Sequence, residues 1–294
     1  MVASVLVTGI TGFTGKYLRH ALEMRGDRVV GIADRGVNHP NDRVVDLLDV
    51  EAVERAVREM RPEYVVHLAG ISFAAHDRPD DFNRVHEDGS RHLLEAITRA
   101  AVPVRKVILA SSAYVYGRPT ITPVAEDAAP APVNPYGESK LKMEHLARRF
   151  FERIPILIVR PFNYTGIGQS DRFVLPKLIE HFRQCAPEIE LAETSVIREF
   201  SDVRDVAAVY VRLIDSDARS DIVNVCSGIG HRLDTVLDTL KKLTGFAPHI
   251  LRSALLERKN DIPELVGSPK KLKQLLGELS FRPLDETLQW MLRG

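Results

Sequence analysis

The chain has 294 residues, 40 basic against 40 acidic side chains, 45% hydrophobic residues and two cysteines. Zero formal charge supplies no general attraction for nucleic acid or an anionic membrane, and Cys185 and Cys226 stand apart from any Cys/His cluster, so neither a disulfide framework nor a metal site is indicated. No apolar run approaches the roughly 18 residues of a membrane span, and the N-terminus lacks a basic start and a cleavage site, so a cytoplasmic protein is expected.

Along the first half, short β-branched runs alternate with segments of helical period. Strands are predicted at 5–8, 28–33, 44–46, 64–68, 106–110 and 156–159, and helices at 17–24, 51–60, 82–101 and 136–151. The run Val65-Val66-His67-Leu68 leaves no room for polar alternation, which suits a sheet covered on both faces. Right-handed crossovers then give the α/β class with a doubly wound parallel sheet. After Pro161 the texture changes: glycines, a helix at 173–185, strand-like runs at 196–200 and 222–226, and a helical tail from 231 punctuated by prolines. We expect a smaller lobe from 166–195 and 227–294, and a main domain of 1–165 to which 196–226 returns. The Pro-rich stretch 119–135 is expected as a loop beside the site.

Two patterns carry chemistry. The first strand runs into Thr8-Gly9-Ile10-Thr11-Gly12-Phe13-Thr14-Gly15, where a tight turn needs Gly9, close approach of a pyrophosphate needs Gly12, and helix-on-strand packing needs Gly15. The following helix presents free N–H groups and a favourable dipole to the anion. In Tyr136-Gly137-Glu138-Ser139-Lys140 the tyrosine and lysine stand four apart, on one helix face, where an ammonium lowers the pKa of a phenol that acts as acid or base. Upstream, the strand at 106–110 ends in Ser111-Ser112, at the carboxyl edge where open parallel sheets bind ligands.

Together these pieces resemble the extended short-chain dehydrogenase/reductase family over nearly the whole chain. The resemblance implies a Rossmann domain that binds NAD or NADP through Gly9, Thr11, Gly12, Phe13, Thr14, Gly15, Asp34 and Arg35, with Asp46 and Leu47 at the adenine. Leu68, Ala69 and Gly70 match the family's fourth-strand loop, Pro161 its nicotinamide segment, and Ser112, Tyr136 and Lys140 its catalytic groups, the last two also holding the cofactor. The runs Phe162-Asn163-Tyr164-Thr165-Gly166, Phe173-Val174-Leu175-Pro176 and Ile197-Arg198-Glu199-Phe200 are similar to the GDP-mannose dehydratase and GDP-4-keto-6-deoxymannose reductase branch. By that likeness the smaller lobe binds a nucleotide sugar, with Ser112, Asn163, Phe173, Val174 and Lys177 as its contacts and Arg198 and Arg258 clamping its diphosphate.

Departures from the family pattern narrow the reaction. Dehydratases of this group place an acid shortly after the catalytic Ser/Thr, where this chain has Ala113 and Tyr114. Hydride transfer to a 4-keto-6-deoxyhexose is therefore expected, with a nucleotide-sugar 4-epimerase as the nearest rival and a non-catalytic dinucleotide-binding protein as the rival from another class. His86 stands where the family often has asparagine and is read as structural. Ala33 falls where NAD users carry an acid, and Arg35 suits a 2′-phosphate, so dual coenzyme use leaning to NADPH is expected. Apolar residues of the helices at 82–101 and 136–151 (Leu93, Leu94, Ile97; Leu141, Leu146, Phe150) suggest a homodimer across a four-helix interface.

Overall fold

The computed structural model describes residues 2–74, 78–253, 256 and 262–294. Its main sheet holds seven parallel strands: β1 (Ser4–Thr8), β2 (Arg28–Ala33), β3 (Arg43–Val44), β4 (Tyr64–His67), β5 (Lys106–Ala110), β6 (Ile156–Pro161) and a last strand, Asp221–Val225. Their spatial order is 221–225, β6, β5, β4, β1, β2, β3. The order therefore reverses on either side of β1, and open α/β sheets bind ligands outside the carboxyl ends of their strands at such a switch point.

Helices cover both faces, which is why the strands carry apolar side chains on both sides. One face packs α2 (Val50–Met60), α4 (Gly89–Arg99) and α5 (Pro135–Arg148) around Val53, Val57, Leu93, Leu94 and Met143. The other packs α1 (Phe13–Arg25), α7 (Val203–Asp215) and α9 (Lys270–Leu276) around Leu18, Leu22, Val206, Leu213 and Leu272. A third core joins α6 (Val174–Arg183), α8 (Leu233–Thr244), α10 (Leu284–Arg293) and the parallel pair Glu188–Leu191 and His249–Arg252 through Leu178, Phe182, Ile189, Leu237 and Leu288. Packing crosses the expected lobe boundary in both directions: Leu272 of α9 packs into the main sheet's core, Ile262 and Leu265 pack against Ala113, Val115 and Phe162, and Phe200 packs into this third core. Among the described residues no helix is long and apolar enough to cross a membrane.

Four local readings change. The helix expected at 82–101 is α3 (Pro79–Asn83), a π turn at Arg84–Asp88 and then α4; the wide turn drives His86 inward to its hydrogen-bond partners, a side-chain demand that periodicity does not encode. The strand expected at 44–46 stops at Val44, since the Asp46 carboxylate accepts the Leu48 N–H and closes a turn. The run at 196–200 splits into Ile197–Arg198 and Ser201–Asp202, in different sheets, around the buried Glu199 carboxylate that accepts the N–H groups of Ser227, Gly228 and Gly267. Finally, Leu93, Leu94, Ile97 and Leu146 are buried in the chain's own core, and Leu141 and Phe150 are half-buried. The outward positions of α4 and α5 include Arg99, Lys142, His145 and Arg148, so much of the apolar surface from which pairing was expected is already covered within the chain.

Candidate active site

β1 turns at Gly9, where φ is +69°, into Gly12 at the start of α1. A Cβ at Gly9 would lie 2.9 Å from the Ala69 backbone, and one at Gly15 would lie 2.5 Å from the Gly9 carbonyl oxygen, so the backbone itself demands both glycines. No side chain caps α1 and no acid stands in its first turn. The first N–H groups of the helix and its dipole are therefore free for an anion. Thr8 Oγ1 accepts the Ala69 N–H at 3.1 Å, tying the end of β1 to the loop after β4.

This turn forms one wall of a cleft of about 670 Å³ along the carboxyl edge of the sheet. All residues expected to hold the dinucleotide line it: the glycine turn from Gly9 to Gly15, Asp34 and Arg35 after β2, Asp46 and Leu47 after β3, Leu68, Ala69 and Gly70 after β4, Pro161 at the end of β6, and Tyr136 and Lys140 of α5. A bare helix N-terminus at one end and paired proton-bearing groups at the other fit a nicotinamide dinucleotide. Ser112, Asn163 and Phe173 line the same cleft. Asn163 keeps a buried Oδ1 without a hydrogen-bond partner.

Ser112, Tyr136 and Lys140 are each more than nine-tenths buried. Asn134 caps α5 by accepting the Gly137 N–H at 2.8 Å, and Pro135 starts the helix, so Tyr136 emerges in its first turn against the end of β5. The Tyr136 ring is edge-on to Phe82, His86 and Tyr114 at 5.7 to 5.8 Å. Burial raises the phenol well above its ordinary value, against the opposing effect of the Ser112 hydroxyl. The expectation that Lys140 lowers it needs correction: the ammonium donates to the Ala110 carbonyl at 2.9 Å, and burial takes Lys140 itself down to about 8 while Glu144 acts upward. Spacing put the two groups on one helix face as expected, but a strand carbonyl holds the lysine. Tyr136 thus stays protonated at neutral pH, the state a proton donor needs.

Two histidines hold the loop after β4. The Ile71 N–H donates to His86 Nε2 at 3.0 Å, so Nδ1 carries the proton and gives it to Ser139 Oγ, which donates to the Tyr136 carbonyl. Ser90 Oγ donates to the His86 carbonyl, so it accepts from His67 Nε2, and His67 Nδ1 accepts from the Thr8 hydroxyl. Both rings are neutral.

Other expected residues lie elsewhere. Lys177, one turn into α6, donates to the Glu190 carbonyl at 2.7 Å, and Val174 begins that helix; neither lines the cleft. Arg198 sits between two neighbouring strands and donates to the Ile197 and Pro263 carbonyls, so a diphosphate would have to draw it away. Arg258 lies outside the described residues. The Pro-rich loop packs on the turn behind the cleft, with the Ala131 N–H donating to Val115 O and the Val124 N–H to Val266 O, and none of it lines the cleft. Tyr164 was missed: its hydroxyl lies 2.8 Å from Thr14 Oγ1 and its ring stacks on Phe13. Its place two residues after Asn163's proline-bearing run, Arg160-Pro161-Phe162, was the available signal.

Comparison with known proteins gives a consistent picture. The model of the NAD dependent epimerase/dehydratase family matches residues 5–226. The chain is 32% identical to GDP-6-deoxy-D-talose 4-dehydrogenase of Aggregatibacter actinomycetemcomitans, over 93% of this chain and 91% of that one. It is 28% identical to GDP-6-deoxy-D-mannose reductase of Pseudomonas aeruginosa, over 94% and 92%. A crystal structure of a candidate epimerase from Burkholderia cenocepacia superposes with a TM-score of 0.93 at 41% identity, covering 99% of this chain and 97% of that one.

Proposed function

The chain belongs to the NAD dependent epimerase/dehydratase family, and from that premise we propose that it reduces the 4-keto group of a nucleotide-linked 4-keto-6-deoxyhexose with NADPH or NADH. GDP-4-keto-6-deoxy-D-mannose is the first substrate to test, because two relatives are named for GDP-linked 6-deoxyhexose chemistry. One observation carries the reading. The cleft brings Ser112, Tyr136 and Lys140 together, while Ala113 and Tyr114 offer no carboxylate and the acids among the described lining residues are Asp34 and Asp46, after β2 and β3.

A nicotinamide bound in the cleft supplies hydride. Tyr136 gives its proton to the ketone oxygen as that oxygen becomes an alkoxide, and the Ser112 hydroxyl donates a hydrogen bond to the same atom. Lys140, held at the cleft by the Ala110 carbonyl, donates as an ammonium to ribose hydroxyls of the coenzyme. Asn163, through its unpartnered oxygen, and Phe173 contact the sugar nucleotide.

The test is incubation with GDP-4-keto-6-deoxymannose and NADPH deuterated at the transferable position. Label is expected at sugar C4, with one coenzyme consumed per product. In a parallel incubation with GDP-mannose, which still carries its C6 hydroxyl, loss of water with solvent label at C5 and no net coenzyme use would mean dehydration and end the reductase reading. The Burkholderia likeness favours epimerisation as a second reading; an epimerase leaves purification with coenzyme bound and needs none added.

Coenzyme choice follows from the end of β2. Ala33 is small and buried, and the Asp34 and Arg35 side chains beside it are exposed and only loosely paired, at 3.7 Å. Arg35 is free to meet a 2′-phosphate and Asp34 a 2′-hydroxyl, so both coenzymes should work with a small preference for NADPH in kcat/KM; a preference for NADH of about 100-fold would reverse the assignment.

A further inference from the structure

Beneath the cleft, and lining none of it, lies a buried ion pair. Glu144 stands one helical turn beyond Lys140 on α5, and Arg160 lies near the end of β6; their side chains are 0% and 1% exposed. Arg160 meets the carboxylate with two bonds, Nε to Oε1 at 2.9 Å and Nη2 to Oε2 at 2.7 Å. Ser111 Oγ donates to the same Oε1 at 2.6 Å. The guanidinium also sits 4.7 Å from the centre of the Tyr116 ring, whose hydroxyl donates to Asn224 Oδ1. One carboxylate therefore joins β5, α5 and β6, which deliver Ser112, then Tyr136 with Lys140, and then Asn163 to the cleft.

Stability alone does not account for this arrangement. Taking two charges out of water is costly, and apolar residues of like volume often hold a core as well or better. We propose that Glu144, clamped by Arg160, is a positioning residue: through the Ser111 hydroxyl it sets Ser112 beside Tyr136, and from one turn along α5 it sets its carboxylate against the Lys140 ammonium. What the triad does with that charge rests on the reductase reading above, whereas the charge relation itself does not. Around Lys140 stand the neutral His67 of β4, the neutral His86 of the π turn, the phenol of Tyr136 and the Ala110 carbonyl of β5, none of which is an anion. Glu144 acts against the burial that takes Lys140 down to about 8.

The experiment is an NMR titration of the protein carrying ¹³C-lysine, without added coenzyme, in which Lys140→Arg identifies the Lys140 signal. Glu144→Gln retains shape and an acceptor for Ser111 but removes the charge. The Lys140 midpoint is expected to fall by about one pH unit or more, and the alkaline limb of kcat/KM to move with it, with activity recovered on the acid side. Because that variant leaves Arg160 unpaired, the double variant Glu144→Leu, Arg160→Met removes both charges together and is expected to fold; its Lys140 midpoint also falls below that of the parent. Ser111→Ala is expected to lower kcat without moving the midpoint. An unmoved midpoint in folded Glu144→Gln and in the double variant, or a loss of kcat equal at every pH, overturns the proposal. A shifted midpoint in a protein that reduces no 4-keto sugar upholds the charge relation and defeats the reductase reading instead.

Discussion

Tyr136→Phe is expected to lower turnover by about 10² to 10⁴ while coenzyme and nucleotide-sugar binding persist. The ring keeps its edge contacts with Phe82, His86 and Tyr114, so packing changes little. What disappears is the oxygen that faces Ser112 in the cleft. Burial keeps that phenol protonated across the neutral range, and a protonated phenol beside a ketone is what reduction consumes. Single-turnover measurements at saturating NADPH separate the chemical step from binding. A Phe variant within about tenfold of the parent would take the proton-donor role away from Tyr136.

Residues whose purpose is local were legible in the sequence. The glycine turn was readable because backbone geometry at Gly9 and Gly15 tolerates no Cβ, whatever the rest of the chain does. The doubly wound sheet was readable because strands such as β4, buried on both faces, show no polar alternation: Val65 and Val66 point to opposite faces and both are fully buried. What spacing could not reveal was which distant group claims a long polar side chain. Lys140 shares a helix face with Tyr136, yet its ammonium goes to Ala110 on β5. Lys177 and Arg198 have the right charge for a diphosphate, yet neighbouring carbonyls engage both. The apolar stripes of α4 and α5 pointed to a partner chain, although Leu93, Leu94 and Ile97 pack in the chain's own core. His86 reads as satisfied packing, but its partners Ile71 and Ser139 place it against Tyr136, and the π turn that carries it there leaves no mark in a helical period.

The two buried histidines set a further expectation, that acidification destabilises the fold steeply. His67 is held down to about 3 and His86 to about 2, in both cases by burial first and then by the nearby Lys140 charge. Protonating His67 would cost the bond that Nδ1 accepts from Thr8, and protonating His86 would cost the one that Nε2 accepts from the Ile71 N–H. In the unfolded chain both rings titrate near the ordinary 6.5. Between 6.5 and the folded values the unfolded state binds more protons, so stability is fully present above 6.5 and is lost as pH falls toward 3. Each ring contributes up to about 1.4 kcal/mol per pH unit, which for both at pH 4.5 is roughly 5 kcal/mol, comparable to the whole stability of a marginal domain. Urea unfolding at pH 7 and pH 4.5 measures the slope directly. The double variant His67→Gln, His86→Asn retains hydrogen-bonding groups without a titrating ring, so it is expected to lose less stability at pH 7 than it regains, relative to the parent, at pH 4.5. Equal pH slopes in parent and variant would show that these rings do not carry the acid sensitivity.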